Sequence, residues 1–193
     1  MTRRWSTRLG AVLLVGAAAL TGCSEKQEAS TSLPTATAEA SEDALPPLGP
    51  ESFPVPKQAR EQTADGAVEF VRYYVALTGH LALQSEDPTP LLELSRDCRT
   101  CGQIADAFEA DLGAGYSYRD YVYEFDEYGP ALVDGDKAEM GFSYVQGPIT
   151  AVDRSGQVVP TRSAPTPQEL QSGASLVWDQ TLQSWVITGL TVG

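Results

Sequence analysis

Histidine is nearly missing from this chain: His80 stands alone in 193 residues, beside three cysteines and two methionines. One histidine excludes a histidine-built metal cluster and restricts any imidazole acid–base chemistry to a single position. Basic residues are scarce as well, 13 against 26 acidic ones, for a formal charge of −13. A surface of that sign repels nucleic acid and anionic lipid headgroups, so neither is an expected partner. No apolar run reaches the ~20 residues that a membrane-spanning helix needs. Gly141-Phe142-Ser143-Tyr144-Val145 lacks the last glycine of a nucleophile elbow. Asp134-Gly135-Asp136 lacks the rest of a calcium loop. No glycine-rich phosphate loop precedes a helix. No metal, cofactor or catalytic residue is therefore expected.

What is present begins with a basic start, Arg3, Arg4 and Arg8, and a twelve-residue apolar run from Leu9 to Leu20. Leu20-Thr21-Gly22-Cys23 follows directly. Charge, length and small residues describe a secretory signal over residues 1–22. The tetrad resembles a bacterial lipobox, which implies lipidation of Cys23 at sulfur. The expectation is a protein at the cell membrane, lipid-anchored on the extracytoplasmic face, with several acyl chains making a durable tether. Without Arg3, Arg4 and Arg8, ten basic residues face 26 acidic ones, a formal charge of −16.

Residues 23–59 read as the lipidated cysteine and an acidic linker rich in Ser, Thr and Pro, too poor in large apolar side chains to fold alone. Within it, Leu48, Phe53 and Val55 sit among five prolines as an extended segment whose apolar residues are free to lie on the domain. Residues 60–193 read as one domain.

In that domain, Ala67, Phe70, Val71, Tyr74, Thr78 and Leu81 form an apolar stripe that predicts a helix over 64–82. Thr63 is its N-cap, Gly79 weakens its last turn, and Arg72 and Tyr73 face elsewhere. Further helices are expected at 89–95 and 98–112, the latter with Ile104, Ala107, Phe108 and Leu112 as its apolar side. Then the period changes to two. Strands are expected at about 116–128, 131–133, 138–144, 149–152, 157–159, 174–179 and 185–192, with 161–173 a proline-rich loop. Helices followed by antiparallel strands make an α+β fold, the helices packed on one face of a curved antiparallel sheet.

This order resembles the cone-shaped nuclear-transport-factor-2-like (SnoaL-like) fold. Leu45 to Pro50, Phe53 to Pro56 and Ala67 to Tyr74 also resemble an uncharacterised family of actinobacterial lipoproteins. That resemblance implies a lipobox, a linker, one such domain and a cysteine pair in its helical part, and brings no activity. Cys98 and Cys101 fit the pair, and in an oxidising compartment they read as a disulfide. A redox-active CxxC and a free or metal-binding pair remain as alternatives.

SnoaL-like enzymes place a His and an Asp in the cone, and here His80 has no identifiable partner. Aromatic residues are the remaining enrichment. Tyr74, Tyr121, Tyr123, Phe142 and Tyr144 are, in the plainer and favoured reading, the material of a solid core and, in the sharper one, the candidate lining of a pocket. The expected function is non-catalytic binding of a cell-envelope protein or a small ligand. A SnoaL-like enzyme and a CxxC redox module are the two alternatives.

Overall fold

The computed structural model describes residues 45–193. Cys23, the signal segment and the first part of the linker lie outside the described residues. Three helices, α1 (Ala64–Gln84), α2 (Thr89–Glu93) and α3 (Arg99–Ala114), precede five strands. These are β1 (Ser117–Glu127), β2 (Leu132–Asp134), β3 (Lys137–Val152), β4 (Gln168–Asp179) and β5 (Ser184–Val192). The sheet order is β1-β3-β4-β5, all antiparallel, with β2 also paired to β3. The helices pack on one face of this curved sheet.

Thr63 caps α1, its hydroxyl accepting the Gly66 N–H at 3.0 Å. The side chain thereby satisfies one of the donors that a helix start leaves free. The expected stripe is buried along α1 except for the half-buried Thr78, and Val68, Tyr73, Val75 and Leu77 are buried as well. Tyr73 therefore does not face away. It stacks on Phe53 at 5.4 Å between ring centres and donates its hydroxyl to the Phe53 carbonyl at 2.8 Å. Its cover is the proline-rich arm, whose Leu48, Phe53, Val55 and Ala59 join the core. Packing against the body thus begins before residue 60.

Gly79 does not end α1, which runs five residues further. A Cβ at Gly79 would stand 2.8 Å from Cδ1 of Tyr121. The glycine is there for close approach: it lets the helix settle onto the Tyr121 ring. Gly113 lies inside α3, and Gly115, in the left-handed region at φ 77°, closes it.

The strands run longer than their expected pieces. Residues 137–152 form one strand through the cis Gly147-Pro148 bond, not two. Pro148 lacks an N–H and reads as a breaker, but β4 pairs with β3 only as far as Gln146↔Gln168. On the other side, Tyr121↔Ile149 is followed by Tyr123↔Gln146, so residues 147 and 148 occupy a bulge. A bulge is where a strand tolerates proline, and it bends the ladder. Likewise β4 starts at Gln168, so the loop expected over 161–173 is confined to the residues before it, including a 3-10 turn at Pro160–Arg162. Residues 157–159 hold only a bridge, Val152↔Val158, because Asp153 folds that turn by accepting the Ser155 and Gln157 N–H groups.

Replacing glycine by alanine inside a helix ordinarily stabilises by about 1 kcal/mol. At Gly79 the new methyl group meets a packed ring, and overpacking costs ~1–3 kcal/mol. Gly79→Ala should therefore lower stability by about 1–2 kcal/mol, read as a lower urea midpoint at unchanged slope. A rise in the midpoint would disprove the close packing of α1 on Tyr121.

Candidate ligand cavity

Between α1, α3 and the sheet lies a cavity of about 520 Å³. Tyr74, Val75 and Thr78 of α1 form one wall, and Ile104, Ala107 and Phe108 of α3 another. Tyr118, Tyr121, Phe142, Tyr144 and Ile149 supply the sheet side. A strap of residues 161–164, from the β3–β4 connection, makes the outer wall. The strap is tied back to β3 through the Ile149↔Ala164 bridge and the Ser163 hydroxyl, which accepts the Ala151 N–H at 3.0 Å.

Of the candidate lining residues, Tyr74, Tyr121, Phe142 and Tyr144 face the cavity and Tyr123 does not. Tyr123 shares the face of Tyr121 but lies two residues further along β1, under α1. Its Cε1 is 3.4 Å from where a Gly79 Cβ would stand. The helix closes on the sheet there, and the space opens only on the far side of Tyr121.

Four residues outside the candidate lining complete the site. Asp111 of α3 is buried, its side chain 5% exposed. Tyr118 donates its hydroxyl to Asp111 Oδ2 at 2.6 Å, and Arg162 Nε of the strap lies 2.7 Å from Oδ1. Gln146 donates from Nε2 to the Tyr121 hydroxyl oxygen at 3.0 Å. One signal for Asp111 was legible: with Ile104, Ala107 and Phe108 it completes an i, i+3, i+4, i+7 face, a carboxylate where an apolar residue belongs. Nothing local marks Arg162.

The cavity's tyrosines are neutral phenols. Burial pushes Tyr144 up to about 12, with the neighbouring Tyr121 adding to the rise. Burial also raises Tyr74 to about 12, opposed by its hydrogen bond with Ser95. Tyr121 rises by burial too, opposed by Thr78 and Gln146. Tyr118 rises by burial and then by its bond to Asp111. Tyr74 donates to the Leu91 carbonyl at 3.0 Å, which leaves Tyr144 as a donor with no partner among the described residues. The arrangement can offer a hydrogen to an acceptor atom in an otherwise apolar space.

His80 is elsewhere. Its ring stacks on Phe53 at 4.7 Å and its Nε2 is 3.0 Å from the Ser52 hydroxyl and 3.8 Å from Glu86, so it clasps the arm to α1. Cys98 and Cys101 are disulfide-bonded. Cys98 caps α3, its Sγ accepting the Cys101 N–H at 3.2 Å, and Cys101 is buried in the core. Among the described residues no group of three or more His, Cys, Asp or Glu could hold a metal ion. No described helix is long and apolar enough to cross a membrane.

No family model and no curated protein matches the chain. Among solved structures, the intermembrane-space region of the chloroplast protein ARC6 superimposes with a TM-score of 0.54 at 17% identity, covering 67% of this chain and 95% of that one. That is a likeness of fold alone. A nuclear transport factor 2-like superfamily protein from Salmonella enterica serovar Typhimurium aligns at 16% identity, covering 65% of this chain and 88% of the other, with a TM-score of 0.39. A ketosteroid isomerase-like protein from Erwinia carotovora atroseptica aligns at 17% identity, covering 60% and 86%, with a TM-score of 0.36. Both superpositions are too loose to carry a conclusion.

The raised tyrosines give stability a pH dependence of definite sign. The unfolded chain ionises from the ordinary value of 10, whereas folded Tyr74 and Tyr144 keep their protons to about 12. Between those values the folded state binds more protons, so stability falls as pH rises. Urea midpoints measured across that alkaline window should decline steadily, and Tyr144→Phe should make the decline shallower. An identical slope in the variant would show that Tyr144 is not buried as described.

Proposed function

We propose that this chain is a surface lipoprotein, tethered by lipid on Cys23 to the extracytoplasmic face of a membrane, whose domain binds a small, largely apolar molecule in the cavity. The cavity carries the reading. Its volume, about 520 Å³, falls within the ~300–1,000 Å³ of ligand sites, and its walls are aromatic and aliphatic with a few convergent polar groups. This favours a small ligand over a cell-envelope protein as the bound species. The role is binding, with Tyr144 orienting an acceptor atom of the ligand. In this reading residues 23–44 are reach, carrying the domain away from the bilayer.

The probe N-phenyl-1-naphthylamine, which fluoresces in apolar surroundings, should bind the isolated domain saturably. Ala107→Trp places an indole in the cavity and should weaken that binding at least tenfold, with circular dichroism and melting temperature retained. Equal binding by the variant would place the probe outside the cavity and sink the reading. For the tether, Cys23→Ala should abolish acyl labelling and move the protein from the membrane to the soluble fraction of expressing cells. Retention in membranes would rule out the lipid anchor.

A further inference from the structure

The two charged side chains on the cavity wall belong to one ion pair, and they come from elements far apart in sequence. Asp111 is presented by α3 and Arg162 by the strap, and Tyr118 of β1 fixes the second carboxylate oxygen. No other Asp, Glu, Lys or Arg lines the cavity among the described residues. The exposures are unequal: the Asp111 side chain is 5% exposed and the Arg162 side chain 39%.

We infer that the Asp111–Arg162 pair makes this a site for uncharged ligands, cancelling the wall's charge and fastening the strap over the bound molecule. This rests on the ligand-binding reading above and names the ligand class. An anion drawn to Arg162 must sit beside the Asp111 carboxylate, a like charge that water cannot reach to screen. If it displaces Asp111, it leaves a buried charge without a partner, the most unfavourable arrangement of such a pair. A cation competes with Arg162, whose guanidinium already balances the charge of the carboxylate. A neutral molecule disturbs neither. Its acceptor atom meets the Tyr144 hydroxyl, and the amides of Gln103 on α3 and Gln146 on β3, which line the same cavity, supply further polar contacts. The strap gives the pair a second role. Thr161, Arg162, Ser163 and Ala164 all face the cavity, so the ion pair ties the outer wall to α3.

Two probes with one skeleton test this. 8-Anilino-1-naphthalenesulfonate is N-phenyl-1-naphthylamine carrying a sulfonate. At neutral pH the folded domain should bind the neutral probe at least tenfold more tightly than the anionic one. In Asp111→Asn, which keeps an acceptor for Tyr118 and leaves Arg162 without a counter-charge, that ratio should fall at least tenfold. Arg162→Gln, on the exposed strap, removes the cation instead, and the ratio should stay at tenfold or widen. This second variant decides the matter if Asp111→Asn does not fold. Equal or tighter binding of the anionic probe by the unaltered domain overturns the inference and leaves the cavity as a ligand site. So does an unchanged ratio in folded Asp111→Asn, or a gain for the anionic probe in Arg162→Gln. Failure of both probes to bind overturns the ligand-binding reading itself.

Discussion

The burial of α1 is the constraint on which the rest of the fold depends. Twelve of its 21 residues are buried, spread around the helix and not confined to one stripe. A helix apolar on most of its surface must be covered on most sides. The sheet covers one side, the proline-rich arm a second, and α2 with α3 a third. Arg60 and Trp185, whose polar groups are trapped between these layers, are both paired, as buried donors must be. Arg60, 9% exposed, donates to the carbonyls of Pro46, Leu182 and Gln183, joining the arm to the β4–β5 turn. Trp185, fully buried, donates its indole N–H to the Glu61 carbonyl at 2.9 Å and so fixes the approach to α1.

The cavity is what this cover leaves open. Gly79 lets α1 descend onto Tyr121, and beyond that contact the helix and the bulged end of β1–β3 diverge. The α3 side chains at the gap are half-buried for that reason, and they face a space as much as a neighbour. Cys101, at the start of α3, sits in the core and thereby sets which side of α3 the gap sees. That side carries Asp111, and the Tyr118 hydroxyl and Arg162 make its burial tolerable.

Chemistry-bearing residues and the cavity are not the same set. His80, the one imidazole, serves the arm on the outer side of α1. Its ring against Phe53 and its nitrogen on Ser52 give it a packing role that no motif search would assign. The carboxylate that matters to the cavity is a helix residue in an apolar register, without a motif around it. Glu124 and Asp126, the acidic residues nearest the aromatic strand face, point outward and are exposed.

By itself the sequence determined the elements: the cap at Thr63, the apolar positions of α1, the change from helical to alternating period, and the aromatic face of β1 and β3. Each depends on residues within a few positions of one another, where backbone geometry fixes which side chains share a face. Tertiary structure alone decided that Tyr73 is buried, that Pro148 lies inside a strand, and that β4 begins at Gln168. In each case a distant segment supplies the cover, the bulge or the ladder partner. It also decided the cavity. Tyr121 lines it and Tyr123 does not because α1 closes between them. Asp111 meets Arg162 across 51 positions of chain, a pairing that no local pattern encodes, since it follows from where the strap and α3 come to rest on the same sheet.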